Sequence, residues 1–147
     1  MEPPARGQKM FTIDEARALL PLITPEVEAL VRIYREIRTE IEATAGTTGL
    51  AIDSPDLAGH LEARGVVARL FQEARDSIAK VHGYGCVVNG PEAGLIDFPC
   101  LYNNEIVFLC WKYGEETIEH WHRIPDGFAG RRPLLADDPP AGDDLVH

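Results

Sequence analysis

The feature that most constrains this chain is an apolar seam near its start. Ile13, Ala16, Leu20, Ile23, Val27, Leu30, Tyr34, Ile37 and Ile41 follow one another at alternating steps of three and four. Only an α-helix gathers such positions on one face, and so long a stripe needs something to cover it. A start signal precedes it, because Thr12 and Glu15 have the spacing of a capping box. Two prolines interrupt it. Pro21 lacks the N–H that the turn before it expects, and Thr24-Pro25 offers a fresh cap with proline in the first helical position. The pattern predicts a short helix from about Thr12 to Leu20, kinked at Pro21/Pro25 into a long one ending near Ala43, then a loop at Gly46-Thr47-Thr48-Gly49.

Ser54-Pro55 is a second helix start, and its helix should run to about Val81 with Gly83 just past the end. The seam here reads Leu57, Leu61, Val67, Leu70, Phe71, Ala74, Ile78 and Val81. Gly59 and Gly65 fall inside it. Each weakens a helix by about 1 kcal/mol relative to alanine and often marks a close backbone approach. The expectation is a long antiparallel helical hairpin over residues 12–82. Such a hairpin buries only one side of itself, so the rest of the stripe calls for a sheet and, through the long helices, a second copy of the chain: a homodimer.

After Gly83 the period changes from helical to alternating. Cys86-Val87-Val88, Leu95 to Phe98 with Pro99 at a strand end or edge, Leu101-Tyr102, Ile106 to Trp111 and Thr117 to Arg123 read as strands. Asn103-Asn104 suits a two-residue type I′ turn. The result is a three- to four-stranded antiparallel β-meander over 86–124, ended by Pro125-Asp126-Gly127, and an α+β class overall.

Composition sets the outer limits. With 147 residues, 45% hydrophobic and 26% charged, the chain has the makeup of one globular domain, expected over 10–135. The formal net charge of −10 disfavours nucleic acid and anionic membrane surfaces. The first residues hold no apolar stretch of a secretory signal, no run is long enough to span a membrane, and three cysteines without a CxxC fit a reducing cytoplasm. Residues 1–9 read as a flexible lead-in. The stretch 136–147, with Asp137, Asp138, Asp143 and Asp144 and no Lys or Arg, reads as an acidic disordered tail.

Several motifs resemble one family. Phe11-Thr12, Glu15-Ala16 and Leu19-Leu20-Pro21, then Gly94 to Pro99, Cys110-Trp111-Lys112 with Gly114-Glu115, Trp121-His122, and Gly127 to Leu134 are similar to the pattern of the prokaryotic domain-of-unknown-function family 2203. The resemblance covers roughly residues 10 to 134 and implies helices followed by a small sheet. It implies no activity and transfers no catalytic role.

The candidate chemistry lies on the strands and beside them, in a constellation of Asp97, Cys110, Glu115, Glu119, His120, His122 and Arg131. His120 and His122, two apart, share a face and form a plausible ligand pair for a divalent transition metal (zinc, iron or manganese), with Asp97, Cys110 and Glu119 as further candidates. The Asn103-Asn104 turn puts Asp97 opposite Cys110. Across the next turn an even-numbered loop puts Cys110 opposite Glu119, whereas an odd one brings His120 opposite Cys110 or close to it. The even register gathers Ile96, Phe98, Val107, Leu109, Trp111, Ile118 and Ile124 on one face and is the better pattern; it turns both histidines toward that core. Cys110 as a nucleophile needs His120 or His122 as base. In Gly127 to Pro133, Arg131 and Arg132 with Gly130 suggest a small-anion site, the alternative being that Arg131 pairs with a carboxylate of the fold.

These readings lead to a small cytoplasmic homodimeric binding or interaction module without catalytic activity. The alternative is a metal-binding protein, or a metal-dependent or thiol enzyme, with its site around His122, Asp97 and Cys110.

Overall fold

The capping box forms as its spacing predicts. In the computed structural model, which describes residues 9–134, the Glu15 N–H donates to Thr12 Oγ1 at 3.1 Å and the Thr12 N–H to Glu15 Oε1 at 2.9 Å. From there α1 (Ile13–Thr48) is one element of 36 residues. The expected short first helix is therefore its opening stretch. Pro21 and Pro25 both lie on the exposed side, where the carbonyls they leave unpaired meet water. Thr24 Oγ1 donates to the Leu20 carbonyl at 2.6 Å between them. The helix also outlasts its expected end near Ala43. Thr47 and Thr48 hydroxyls donate to the carbonyls of Ala43 and Thr44, and Gly49 closes the end in a left-handed conformation.

The second expected helix divides in two: α2 (Pro55–Arg64) and α3 (Val66–Gly83), separated by Gly65 at φ +73°. Gly65 is a cap, and nothing approaches within 4 Å of the side chain it lacks; the same holds at Gly59. The close approach falls at Gly94 instead. A Cβ there would sit 2.5 Å from Tyr113 Cβ at φ +70°, so the strand start can pass under α1 only as glycine.

Five strands form one antiparallel sheet in chain order: β1 (Val87–Gly90), β2 (Leu95–Tyr102), β3 (Glu105–Lys112), β4 (His120–Arg123) and β5 (Arg132–Pro133). The fifth, two residues long, comes from the Gly/Arg segment and extends the expected three to four. Asn103 and Asn104 take φ of 49° and 62°, and Tyr102 pairs with Glu105 as the two-residue turn requires. Pro99 sits inside β2 rather than at its end. β1 stops pairing at Asp97, so no ladder bond is lost, and the Pro99 carbonyl accepts the Phe11 N–H at 2.7 Å.

The helix-facing side of the sheet carries Ile96, Phe98, Val107, Leu109, Trp111 and Trp121, buried against Ala16, Leu20, Ile23 and Val27 of α1. Farther along, α1 and α3 cover each other through Leu30, Ile33, Ile37, Leu70 and Ala74. Tyr34 and Ile41, read as seam positions, lie at the margin of that cluster and Ile33 takes the centre.

The fold also reverses the favoured register of the last hairpin. Cys110 pairs with His120 and Phe108 with His122, the odd-loop arrangement. Ile118 is fully buried, but it lies before β4 begins, so its parity says nothing about the strand. The connection is built by Glu115, whose carboxylate accepts the Lys112 N–H at 2.7 Å and whose carbonyl accepts the Trp111 indole N–H at 3.0 Å. With this register Trp121, and neither histidine, faces the helices. Trp121 has much the larger apolar area to bury, while His122 gains polar partners on the other side.

Candidate functional site

Three adjacent strands deliver one buried polar cluster to the face of the sheet away from the helices. β2 brings Asp97, β3 brings Cys110 and β4 brings His122, and one ligand-type atom from each lies within 4.8 Å of the other two. Each of these residues is 1% exposed. The pairing of Asp97 with Cys110 follows from the asparagine turn, and the odd register sets His122 diagonally across from Cys110.

Every polar atom of the cluster is oriented by a neighbour. His122 Nδ1 donates to the Arg123 carbonyl at 2.9 Å, which leaves Nε2 facing Asp97 Oδ1 at 3.0 Å. Asn89 Nδ2 donates to the other Asp97 oxygen at 3.0 Å. The Phe108 ring lies 5.6 Å from the His122 imidazole, centroid to centroid, and walls the site. Burial opposes a charge on His122. Its hydrogen bonds to Asp97, Cys110 and the Arg123 carbonyl, together with the Asp97 charge, outweigh that and hold its pKa up at about 10. Both ring nitrogens are thereby engaged, an arrangement that favours the protonated ring of His122.

A second polar group adjoins the first through Cys110. Arg131 binds Glu115 with two nitrogens, at 3.1 and 2.6 Å, and its Nη1 lies 3.9 Å from Cys110 Sγ. Burial works to raise the Glu115 pKa, but the Arg131 hydrogen bonds, the Lys112 N–H and the charges of Arg131 and His120 hold it below its ordinary value. His120, across from Cys110, points its Nδ1 to within 3.8 Å of Glu115 Oε2, and that buried nitrogen has no hydrogen-bond partner.

Of the five metal candidates, Asp97, Cys110 and His122 therefore meet. His120 stands beside them in the Glu115 group. Glu119 is exposed, contributing only its carbonyl to the Leu134 N–H at 2.8 Å. Of the three anion candidates, Arg131 is paired within the fold, Arg132 is exposed with its guanidinium 5.5 Å from the Trp121 ring, and Gly130 packs against Asp126. His60 is exposed on α2, outside the cluster. Cys86 and Cys100 are inert: burial pushes each thiol up to about 12. Glu115 belongs to the polar constellation that the sequence offers, and Arg131 finds in it a carboxylate of the fold. One participant escaped the sequence reading: Asn89 carries no signal of its own.

The arrangement can do two things chemically. It can keep a buried charge pair, or it can exchange protons for a cation using sulfur, nitrogen and oxygen donors. For Cys110 as a nucleophile, both His122 nitrogens are already engaged, by Asp97 and by the Arg123 carbonyl.

The family model that matches the chain is described as "Uncharacterized conserved protein (DUF2203)" and spans residues 9–134. No curated protein and no solved structure matches. No helix among the described residues is long and apolar enough to cross a membrane.

Proposed function

The chain belongs to this family of uncharacterised conserved proteins, and from that premise we propose that it is a metal-binding protein whose Asp97, Cys110 and His122 hold one divalent transition ion. The observation that carries the reading is the convergence of three buried donors from three neighbouring strands within 4.8 Å. Support comes from the surrounding shell. A ligand histidine ordinarily gives its second N–H to a carbonyl or carboxylate, as His122 does to Arg123, and a ligand carboxylate is itself hydrogen-bonded, as Asp97 is by Asn89. Charge also balances. A thiolate and a carboxylate offset a dication beside a neutral imidazole, while Arg131 and Glu115 offset each other. The thiol favours zinc or ferrous iron over manganese. Such an ion would bind three strands together, a non-catalytic role in keeping with the burial of all three ligands.

The test uses protein made without a histidine tag. Elemental analysis and zinc titration should give one ion per chain, lost in His122→Ala and in Cys110→Ser. No bound ion and no thermal stabilisation with zinc in excess would overturn the reading.

We further propose that the long helices pair with a second copy of the chain. The supporting observation is a groove of about 290 Å³ beside α1, lined by Tyr34, Ile37, Ile41 and the 63% exposed Ile52, with Arg38 and Glu42 at its margin. Arg38, Glu42 and Glu92 around the groove give each copy charges of both signs to set against the other across a twofold. Light scattering at micromolar concentration should give twice the single-chain mass; a single-chain mass, unchanged in Ile52→Glu, would sink the idea.

A further inference from the structure

The polar face of the sheet is buried although no helix packs on it, which raises the question of what covers it and how anything enters. Asp97, Phe108, Cys110 and His122 are each at most 1% exposed, while α1 lies against the opposite face. Beside it runs the excursion between β4 and β5, whose last residue, Arg131, reaches Cys110. It folds as two single turns of 3₁₀-helix, Ile124–Asp126 and Phe128–Gly130, the first lying against β3 and the second against β4. The turns meet at Gly127, whose φ of 61° and ψ of −166° suit only glycine. Gly130 presses so close to Asp126 that a Cβ there would stand 2.7 Å from Asp126 Cβ. The two turns thus form one small unit with a single left-handed joint.

That unit is held down mainly by charge. None of its residues is fully buried, so it contributes little apolar anchoring. Its far end is pinned by Arg131, bound through two nitrogens to Glu115, with the Phe128 ring stacked 4.4 Å from the guanidinium. Glu115 belongs to the opposite connection, between β3 and β4, so the ion pair clasps two loops across the site. The clasped Arg131 also places Nη1 3.9 Å from Cys110 Sγ, directly beside the donor cluster.

We propose that the segment Ile124–Arg131 is the gate of the Asp97–Cys110–His122 centre and that the Arg131–Glu115 pair is its latch, so that an ion enters and leaves only when the latch opens. This rests on the metal reading above. A latch governs the rate of exchange more than the affinity, because the three donors sit on strands that do not move with it.

The experiment is zinc release from the loaded full chain into excess chelator, followed by stopped flow. Arg131→Gln and Glu115→Gln should each release the ion about tenfold faster or more, in line with the loss of a charge-assisted bidentate contact. Both should still bind one ion per chain, and the double variant should be no faster than the faster single one. Amide exchange over 124–131 should quicken in Arg131→Gln while that of β2 stays unchanged. If Arg131→Gln does not fold, Arg131→Lys, which keeps the charge and loses the fork, should release at an intermediate rate. Release within about twofold of the wild type, with the ion still bound, would overturn the gate and leave the metal reading intact. A wild-type chain that takes up no ion would overturn both.

Discussion

The two faces of one small sheet are buried by opposite means. Toward the helices, Phe98, Leu109 and Trp121 stand in register across three strands and are covered by a long amphipathic helix. Away from them, Asp97, Cys110 and His122 stand in almost the same rows, one residue over, held by hydrogen bonds from Asn89 and to the Arg123 carbonyl. Apolar burial is non-directional and forgives shape-conserving exchange. Buried polar groups stabilise only as a complete set, since removing one partner leaves the other desolvated. The polar face therefore depends on every member of its set in a way that the apolar face does not.

The comparison can be broken in several ways. The largest loss is expected from Trp121→Ala on the helix face, about 4 kcal/mol by urea unfolding. Asp97→Ala should follow at about 3 kcal/mol, because it strands the His122 charge in a dry site. The decisive contrast is the pair exchanged together. Asp97→Leu with His122→Phe should unfold within about 1 kcal/mol of the wild type while abolishing zinc binding. A large additive loss would mean that the polar set serves stability alone.

Titration sharpens the same contrast. The folded pKa of His122, about 10, lies above its ordinary value of 6.5. Its contribution to stability is thus fully present below pH 6.5 and is lost as pH rises toward and through 10. Metal-free protein should weaken in chemical denaturation across that window, and the Asp97→Leu, His122→Phe variant should lack this weakening. The smallest effect belongs to the helical half. Thr12→Ala removes one side of the capping box and should cost about 1 kcal/mol without touching metal uptake.

Much of this was legible in the chain. The capping box at Thr12, the proline-led start of α2, the Asn103-Asn104 turn and the pairing of Asp97 with Cys110 all follow from local chemistry, and all are present. The break at Gly65 was misread because a glycine inside a helix and a glycine ending one look alike until the next turn is seen. Of the site, the sequence named the three clustered residues among five. It could not separate His120 and Glu119 from them, give Glu115 its role, or find Asn89, because those roles depend on loops whose shape is set by side-chain hydrogen bonds.

What the sequence by itself determined is the order of helical half and strand half and the faces of α1, β2 and β3, since periods of 3.6 and 2 are properties of a chain segment alone. What only the tertiary structure decided is the parity of β4. Between Lys112 and His120 the backbone follows no regular period, so alternation cannot be counted across it. The choice fell to competition for the two faces: Trp121 had the most to gain under α1, His122 had Asp97 waiting on the other side, and one residue of register settled both.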